Sequence, residues 1–179
     1  DSAISQTVQA CCDMSDSKTG ALIIFERGVA LNSIISTGTV INADTTAELL
    51  KNMFFNKAPL HDGAVIIRDG RIAAAGCVLP LTQRTNLSKD LGMRHRAGIG
   101  LSEESDAVII VVSEETGAIS AAMDGMLKRH LSGEALDKLL RSELIREEDS
   151  TEKHSFMDNI RNFFKVNANV DEKQDEENL

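Results

Sequence analysis

The sequence predicts an α/β domain of the α+β type, with a mixed central β-sheet, hairpins, and helices packed around the sheet. Three observations predict it. Short apolar runs rich in Ile, Val and Ala recur, notably Ala21–Glu26 and Asp106–Ser113, and runs of that length suit buried strands. Asp-Gly pairs at 69–70 and 124–125 separate neighbouring runs as hairpin turns do. Segments of helical period stand among the strands without strict alternation, which favours a mixed sheet over a purely parallel one.

Taken in order, Ile4, Val8, Cys11 and Cys12 fall at helical spacing, so a helix is expected over 3–14. Ser15–Gly20 is a turn cluster, and the strand Ala21–Glu26 follows. Ile34-Ile35 begins a short extended piece that Gly38 breaks. Asn42–Thr45 reads as the start of a helix running to about Phe55. Thr45 and Glu48 have capping-box spacing, and Asp44 is a second cap candidate. Pro59 stops that helix.

A hairpin of Ala64–Ile67 and Ile72–Leu79 comes next, with Asp69-Gly70 suited to a type I′ turn. Residues 81–92 are polar and loop-like, with Ser88 a possible cap. Residues 93–104 stay open between helix and loop, because Gly98 and Gly100 lower helix propensity while Ala97 and Leu101 keep helical spacing. Asp106–Ser113 is the clearest buried strand. Ala118–Met123 and Met126–His130 follow as strands, and Ser132 caps a helix carrying Leu136, Leu139, Leu140 and Leu144.

Residues 1–147 are read as one globular domain and 148–179 as a C-terminal extension. Phe156, Ile160, Phe163 and Phe164 suggest a short helix there. Asp171, Glu172, Asp175, Glu176 and Glu177 suggest a disordered acidic end.

A chain of 179 residues that is 42% hydrophobic can bury an ordinary core. Its net charge of −9 excludes a general nucleic-acid binder, which needs a basic footprint. Cys11, Cys12 and Cys77 have no metal-site spacing and read as small core hydrophobes in a reducing compartment. No signal peptide is visible, and no apolar run approaches the roughly 20 residues needed to span a bilayer. The chain is expected to be soluble, a piece of something longer because it opens on Asp1 without Met.

Three stretches are chemically dense. His61-Asp62-Gly63-Ala64 puts an imidazole and a carboxylate at a strand mouth. The carboxylate can act as a base or hold a divalent cation, the imidazole can ligate metal, and Gly63 opens room for a substrate. Taken alone, an Asp-Gly pair is usually a turn. Arg94-His95-Arg96 sets two phosphate-matching guanidiniums around an imidazole in an acidic chain. Taken alone, it is a surface charge run. Ser113-Glu114-Glu115-Thr116-Gly117 closes the best strand, where ligands of α/β sheets often sit, or forms a polar turn. Together they supply the parts of phosphoryl or nucleotidyl transfer. No Walker A and no GxGxxG pattern is present.

Asp62-Gly63-Ala64 and Arg94-His95-Arg96 resemble the DGA and RHR motifs of the diadenylate cyclase family. The surrounding PLHDGAVI, VLPLT, LGMRHRAGIGLSE and VVSEETGAIS resemble its membrane-anchored branch, over about residues 18–145. The resemblance implies a DAC domain fold and makes residues 1–147 the catalytic domain. It implies condensation of two ATP into cyclic di-AMP, a second messenger, with release of two pyrophosphates and a divalent ion: manganese, magnesium or cobalt. It implies Asp62 as the catalytic acidic residue near the attacking ribose 3′-hydroxyl, with His61 and Asp62 as metal ligands. ATP binding would fall to Gly63, Ala64, Leu79 (at the adenine), Met93, Arg94, His95, Arg96, Ser113 and Glu115. Many relatives carry Thr where Met93 stands, so a hydroxyl contact is missing here. The resemblance further implies a homodimer and the cytoplasmic face of the cell membrane for a full-length protein. It also implies a membrane-bound regulator and a phosphosugar mutase as partners.

The product is two-fold symmetric, and each half's 3′-oxygen attacks the other half's α-phosphorus. One motif set per chain therefore calls for two domains facing each other across a two-fold axis. Two other classes stand beside this reading. A nucleotide-binding regulatory module would bind without turnover. A metal-dependent phosphohydrolase using His61 and Asp62 would release phosphate or AMP and need no dimer.

Overall fold

The computed structural model describes residues 2–145. The chain folds in the order α1 (Ser2–Asp16), β1 (Ala21–Phe25), α2 (Asn32–Ile35), β2 (Thr39–Asp44), α3 (Ala47–Phe54), β3 (Ala64–Arg68), β4 (Arg71–Cys77), α4 (Met93–Glu104), β5 (Val108–Val112), β6 (Ile119–Met123) and β7 (Met126–Leu131). A further helix occupies 133–145. One compact unit spans Asp1–Arg141.

The seven strands form one mixed sheet in the order β2-β4-β3-β1-β5-β6-β7. Only β1 and β3 pair in parallel, through Ile23 opposite Val65 and Ile24 opposite Ile66. The other pairings are antiparallel. β1 and β5 are buried along their whole length, which is why both read as unbroken apolar runs. Alternate residues serve opposite faces. Leu22, Ile24, Ile109 and Val111 join Ala97 and Leu101 of α4 in one buried cluster. Ile23 and Ile110 of the other set are as fully buried, and α1 packs against both β5 and α3. Each such aliphatic side chain contributes about 1.5–3 kcal/mol.

Both hairpin turns form as the Asp-Gly pairs predict. Asp69 and Gly70 have φ of 51° and 72°, and Asp124 and Gly125 have 49° and 72°, the signature of type I′ turns. Ser132 caps the 133–145 helix, its Oγ accepting from Ala135 N at 3.1 Å. Cys11 and Cys77 are buried and free as expected, while Cys12 is half-buried.

Four expectations change. Ile34-Ile35 belongs to the helix α2, not to an extended piece. Residues 42–44 complete strand β2, and the helix begins later. Thr46 is its N-cap, accepting from Leu49 N at 3.2 Å, while Thr45 turns inward to donate to Gly70 O at 3.0 Å. β2 is an edge strand, exposed for much of its length, with Val40 70% exposed and Asn42 at φ 51°. It therefore carries no burial alternation to mark it. Residues 93–104 resolve as the helix α4, and Gly92, not Ser88, holds its N-cap position. The Phe-bearing segment and the acidic end of the expected extension lie outside the described residues.

α4 tolerates its glycines because they lie where it meets other backbone and the sheet. A Cβ on Gly98 would sit 3.1 Å from Ile109 Cγ2 and 3.3 Å from Val111 Cγ2. One on Gly100 would sit 2.3 Å from Pro80 O. Close contact outweighs propensity there, and it fixes the direction in which the helix start points.

Candidate nucleotide site

The sheet register gathers the three dense stretches at one end. β3 runs parallel to β1, so Gly63 lies beside the start of β1. β5 runs antiparallel to β1, with Val112 opposite Ala21, so Ser113 lies on the other side of that start. The two stretches are therefore two strand spacings apart, about 9.5 Å.

Between the end of β5 and the start of α4 is a cavity of about 280 Å³, lined by Asp90, Gly92, Met93, Arg94, His95 and Val112–Glu115. α4 starts at Gly92 with no side-chain cap, and its first turn closes only at Arg96 N to Gly92 O, 3.2 Å. The amides of residues 93–95 thus form the positive end of a twelve-residue helix at the cavity, an arrangement that attracts phosphate. Met93 is 64% exposed and its thioether offers no hydroxyl, but its backbone amide is part of this turn.

Arg94 runs beside Gly20 and donates from Nη1 to Glu114 Oε2 at 3.0 Å. Its side chain is 21% exposed, and among the described residues its buried Nε has no hydrogen-bond partner. His95 is 6% exposed. Burial chiefly, and then the Arg129 charge, pull its pKa down, against Asp90 and Glu115, which pull it up. Arg129 of β7 clasps Asp90 at 2.6 Å. Asp90 is held at about 2, first by the Ser88 hydroxyl and then by Arg129.

Ser113 is half-buried and fixes the turn after β5. Its Oγ accepts from Glu115 N at 3.3 Å and Thr116 N at 3.2 Å. Gly117, at φ 78°, closes the turn against α1, where a Cβ would come 2.4 Å from Ser15 O. Glu115 stands exposed on that turn.

At the β3 mouth, His61 Nδ1 lies 2.7 Å from Ala58 O, and Asp62 is exposed beside it. Gly63 has φ 103°, and a Cβ there would meet Cys77 O at 2.7 Å. The close approach that requires this glycine is to β4, where the sequence suggested a substrate. Ala64 is buried opposite Cys77. Leu79 lies in the cluster beneath α4.

Of the sequence-predicted residues, Met93, Arg94, His95, Ser113 and Glu115 surround one cavity. His61, Asp62, Gly63, Ala64, Leu79 and Arg96 do not line it. Arg96 is half-buried one step further into α4, where its carbonyl accepts from Thr82 N at 3.2 Å. Glu114, Asp90, Arg129 and Gly20 were not predicted. Glu114 had a signal in its place beside Glu115. Asp90 lies just before α4 in sequence, whereas Gly20 and Arg129 come to the site only through long-range folding.

A larger hollow of about 470 Å³ lies at the opposite sheet end, lined by Glu103, Glu104, Asp106 and Asp124 among others. Its carboxylates repel phosphate, and several are engaged by the chain itself. Asp106 accepts from Gly28 N and Val29 N at 2.9 Å each, and Glu103 pairs with Arg84 at 2.8 Å.

A helix start without a side-chain cap and an arginine stand together at one end of a mixed α+β sheet, an arrangement that suits an anionic ligand. Comparison with known proteins refines the class. The family described as "DisA bacterial checkpoint controller nucleotide-binding" (DAC) matches residues 8–127, and the chain belongs to it. It is 48% identical over 130 residues to the cyclic di-AMP synthase CdaA of Bacillus subtilis, covering 73% of this chain and 48% of that protein. It is 53% identical over 114 residues to the diadenylate cyclase CdaS of Bacillus thuringiensis, covering 64% of this chain and 57% of that protein. The chain thus spans about half the length of these curated relatives. Among solved structures, a double cysteine mutant of DacA from Staphylococcus aureus superposes with TM-score 0.77 at 44% identity, covering 79% of this chain and 94% of that one. A hypothetical membrane spanning protein from Bacillus cereus gives TM-score 0.69 at 48% identity, covering 72% of this chain and 63% of that one.

Proposed function

We propose that this domain is a diadenylate cyclase, joining two ATP molecules into cyclic di-AMP with loss of two pyrophosphates. Relatives at about half identity bear that activity in their names. The observation that carries the reading is the convergence on one sheet end of an uncapped helix start with Arg94, the Ser113–Glu115 turn, and the Asp62 carboxylate.

In this reading the triphosphate lies at the start of α4, where amide dipoles and the Arg94 guanidinium neutralise its charge. The Ser113 hydroxyl hydrogen is left to donate to a phosphate oxygen, because its lone pairs already serve the turn. Asp62 stands at the ribose 3′-hydroxyl and accepts its proton or orients it. Ala64 and Leu79 border the adenine side, and Arg96 supports assembly of the helix start. The 3′-oxygen of each ATP attacks the α-phosphorus of the other, so two copies face each other and each supplies one such set.

A divalent cation (Mn²⁺, Mg²⁺ or Co²⁺) fits the strand mouth. The carbonyl beside His61 Nδ1 makes that nitrogen the N–H donor and leaves the Nε2 lone pair for a metal, with Asp62 as second donor. Among the described residues no group of three or more His, Cys, Asp or Glu side chains gathers as a complete metal cage. Two protein donors suit a hard ion that takes phosphate oxygens and water as its other ligands. When bound, it would supply charge neutralisation at the transferring phosphate.

Among the described residues no helix is long and apolar enough to cross a membrane. We place the domain at the cytoplasmic face of the membrane in a longer protein, with a membrane-bound regulator and a phosphosugar mutase as its partners. Deleting residues 151–179 is expected to leave catalysis intact, because none of the three dense stretches lies there.

Product analysis after incubation with ATP and Mn²⁺ tests the proposal. Cyclic di-AMP and pyrophosphate are expected, and Asp62→Asn is expected to lower their formation by at least about 10²-fold while ATP still binds. AMP or phosphate as the product would indicate a phosphohydrolase, and binding without product a regulatory module.

A further inference from the structure

We infer that Gly20 is a positioning residue for the proposed reaction. With Glu114 it forms the seat that aims the Arg94 guanidinium, and a side chain at position 20 would unseat it. This inference rests on the reading of the α4 cavity as the triphosphate site.

Gly20 is not required by its backbone. Gly63, Gly70, Gly76, Gly117 and Gly125 adopt positive φ, whereas Gly20 does not, so its φ does not call for glycine. What a side chain there would meet is Arg94 itself. A Cβ would lie 2.9 Å from Nη1 and 3.0 Å from Cζ, and 3.1 Å from Glu114 Cβ. The guanidinium therefore rests on bare backbone at the start of β1. Glu114 holds it from the other side, with Nη1 to Oε2 at 3.0 Å.

The supports of this seat are rigid. Ala21 pairs with Val112, which fixes Gly20 beside the Ser113–Glu114 segment. The turn carrying Glu114 is held by the Ser113 hydroxyl and by Gly117 against Ser15. The Arg94 head is the flexible member and makes the two tightest contacts, so a methyl group at position 20 displaces the guanidinium, while Glu114 Cβ has to give by only a few tenths of an ångström. Among the described residues Nε is buried without a hydrogen-bond partner, so the Glu114 ion pair is not reinforced from that nitrogen. Aim matters because a planar fork binds phosphate by direction as well as charge.

The test is a double-mutant cycle on Gly20→Ala and Arg94→Ala. The probe is 3′-deoxy-ATP with Mn²⁺, which lacks the attacking hydroxyl and cannot cyclise. Its Kd is measured by calorimetry, and each variant's melting temperature is recorded. Arg94→Ala is expected to raise Kd by about 10- to 100-fold, the range for one charge-assisted contact. Gly20→Ala is expected to melt like the unmodified chain and to raise Kd by about tenfold, since the guanidinium is displaced and not removed. In the Arg94→Ala background, Gly20→Ala should add less than about twofold, because nothing remains to unseat. Independent, multiplying effects would overturn the inference, as would failure of Gly20→Ala to fold or an unchanged Kd. If Arg94→Ala weakens binding and Gly20→Ala does not, the seat alone is wrong. If Arg94→Ala leaves binding unchanged, the placement of the triphosphate falls with it.

Discussion

His95 sits between two arginines in sequence, yet it is 6% exposed and the charges that act on it are those of Arg129, Asp90 and Glu115. Burial first, and then Arg129, favour its neutral form, while Asp90 and Glu115 act against them. A histidine with a folded pKa below its ordinary 6.5 binds fewer protons folded than unfolded. Stability should therefore fall as pH drops through 6.5 toward the folded value, and stay level above it. Asp90, held at about 2 from an ordinary 3.8, remains ionised throughout that window and adds no slope there. Melting temperatures between pH 7.5 and 5 should decline for the unmodified chain and decline less for His95→Asn. Equal slopes would show that the ring is not kept neutral by the fold. The side-chain types at 93–95 and 113–115 were legible in the sequence, but not that they surround one cavity. Their partners were not: Asp90 and Arg129 are 39 residues apart and meet only when β7 closes the sheet.

At the scale of elements, α4 shows local propensity giving way to packing. Two glycines argued against a helix in MRHRAGIGLSEE, and at both a Cβ would press on neighbouring atoms of the sheet or of the 80–82 segment. Gly100 is the stricter case, since a Cβ would meet Pro80 O at 2.3 Å and Thr82 N at 2.7 Å, both backbone atoms. Gly100→Ala should cost about 2–3 kcal/mol in urea unfolding, the range for overpacking against a surface that cannot yield. A cost within about 0.5 kcal/mol would mean that the 80–82 segment shifts freely. β1, β3, β5 and both type I′ hairpins were legible because burial on two faces and positive φ leave marks in composition. β2 was not, since an exposed edge strand leaves neither mark. α2 was not because two isoleucines suit an extended piece as well as one helical turn.

For the whole molecule, the symmetry of the proposed product sets the requirement that one chain cannot meet. Cyclic di-AMP formation per subunit should fall as the protein is diluted below its pairing affinity. If it is constant to low nanomolar concentration, light scattering must find a preformed dimer. A strictly monomeric active species would rule out the paired mechanism. The convergence of the three dense stretches was only half legible. Their chemistry pointed to phosphate, but their meeting depends on β3 pairing parallel and β5 antiparallel to the same strand. No local signal encodes that choice. Hydrogen exchange with and without 3′-deoxy-ATP and Mn²⁺ tests the placement most directly, because the amides of residues 93–95 start out without helix partners. That placement calls for slowed exchange at 93–96 and 113–116, and none at 103–106 or 124–125. Protection confined to the acidic hollow at the far end of β5, or absent from the start of α4, would contradict it.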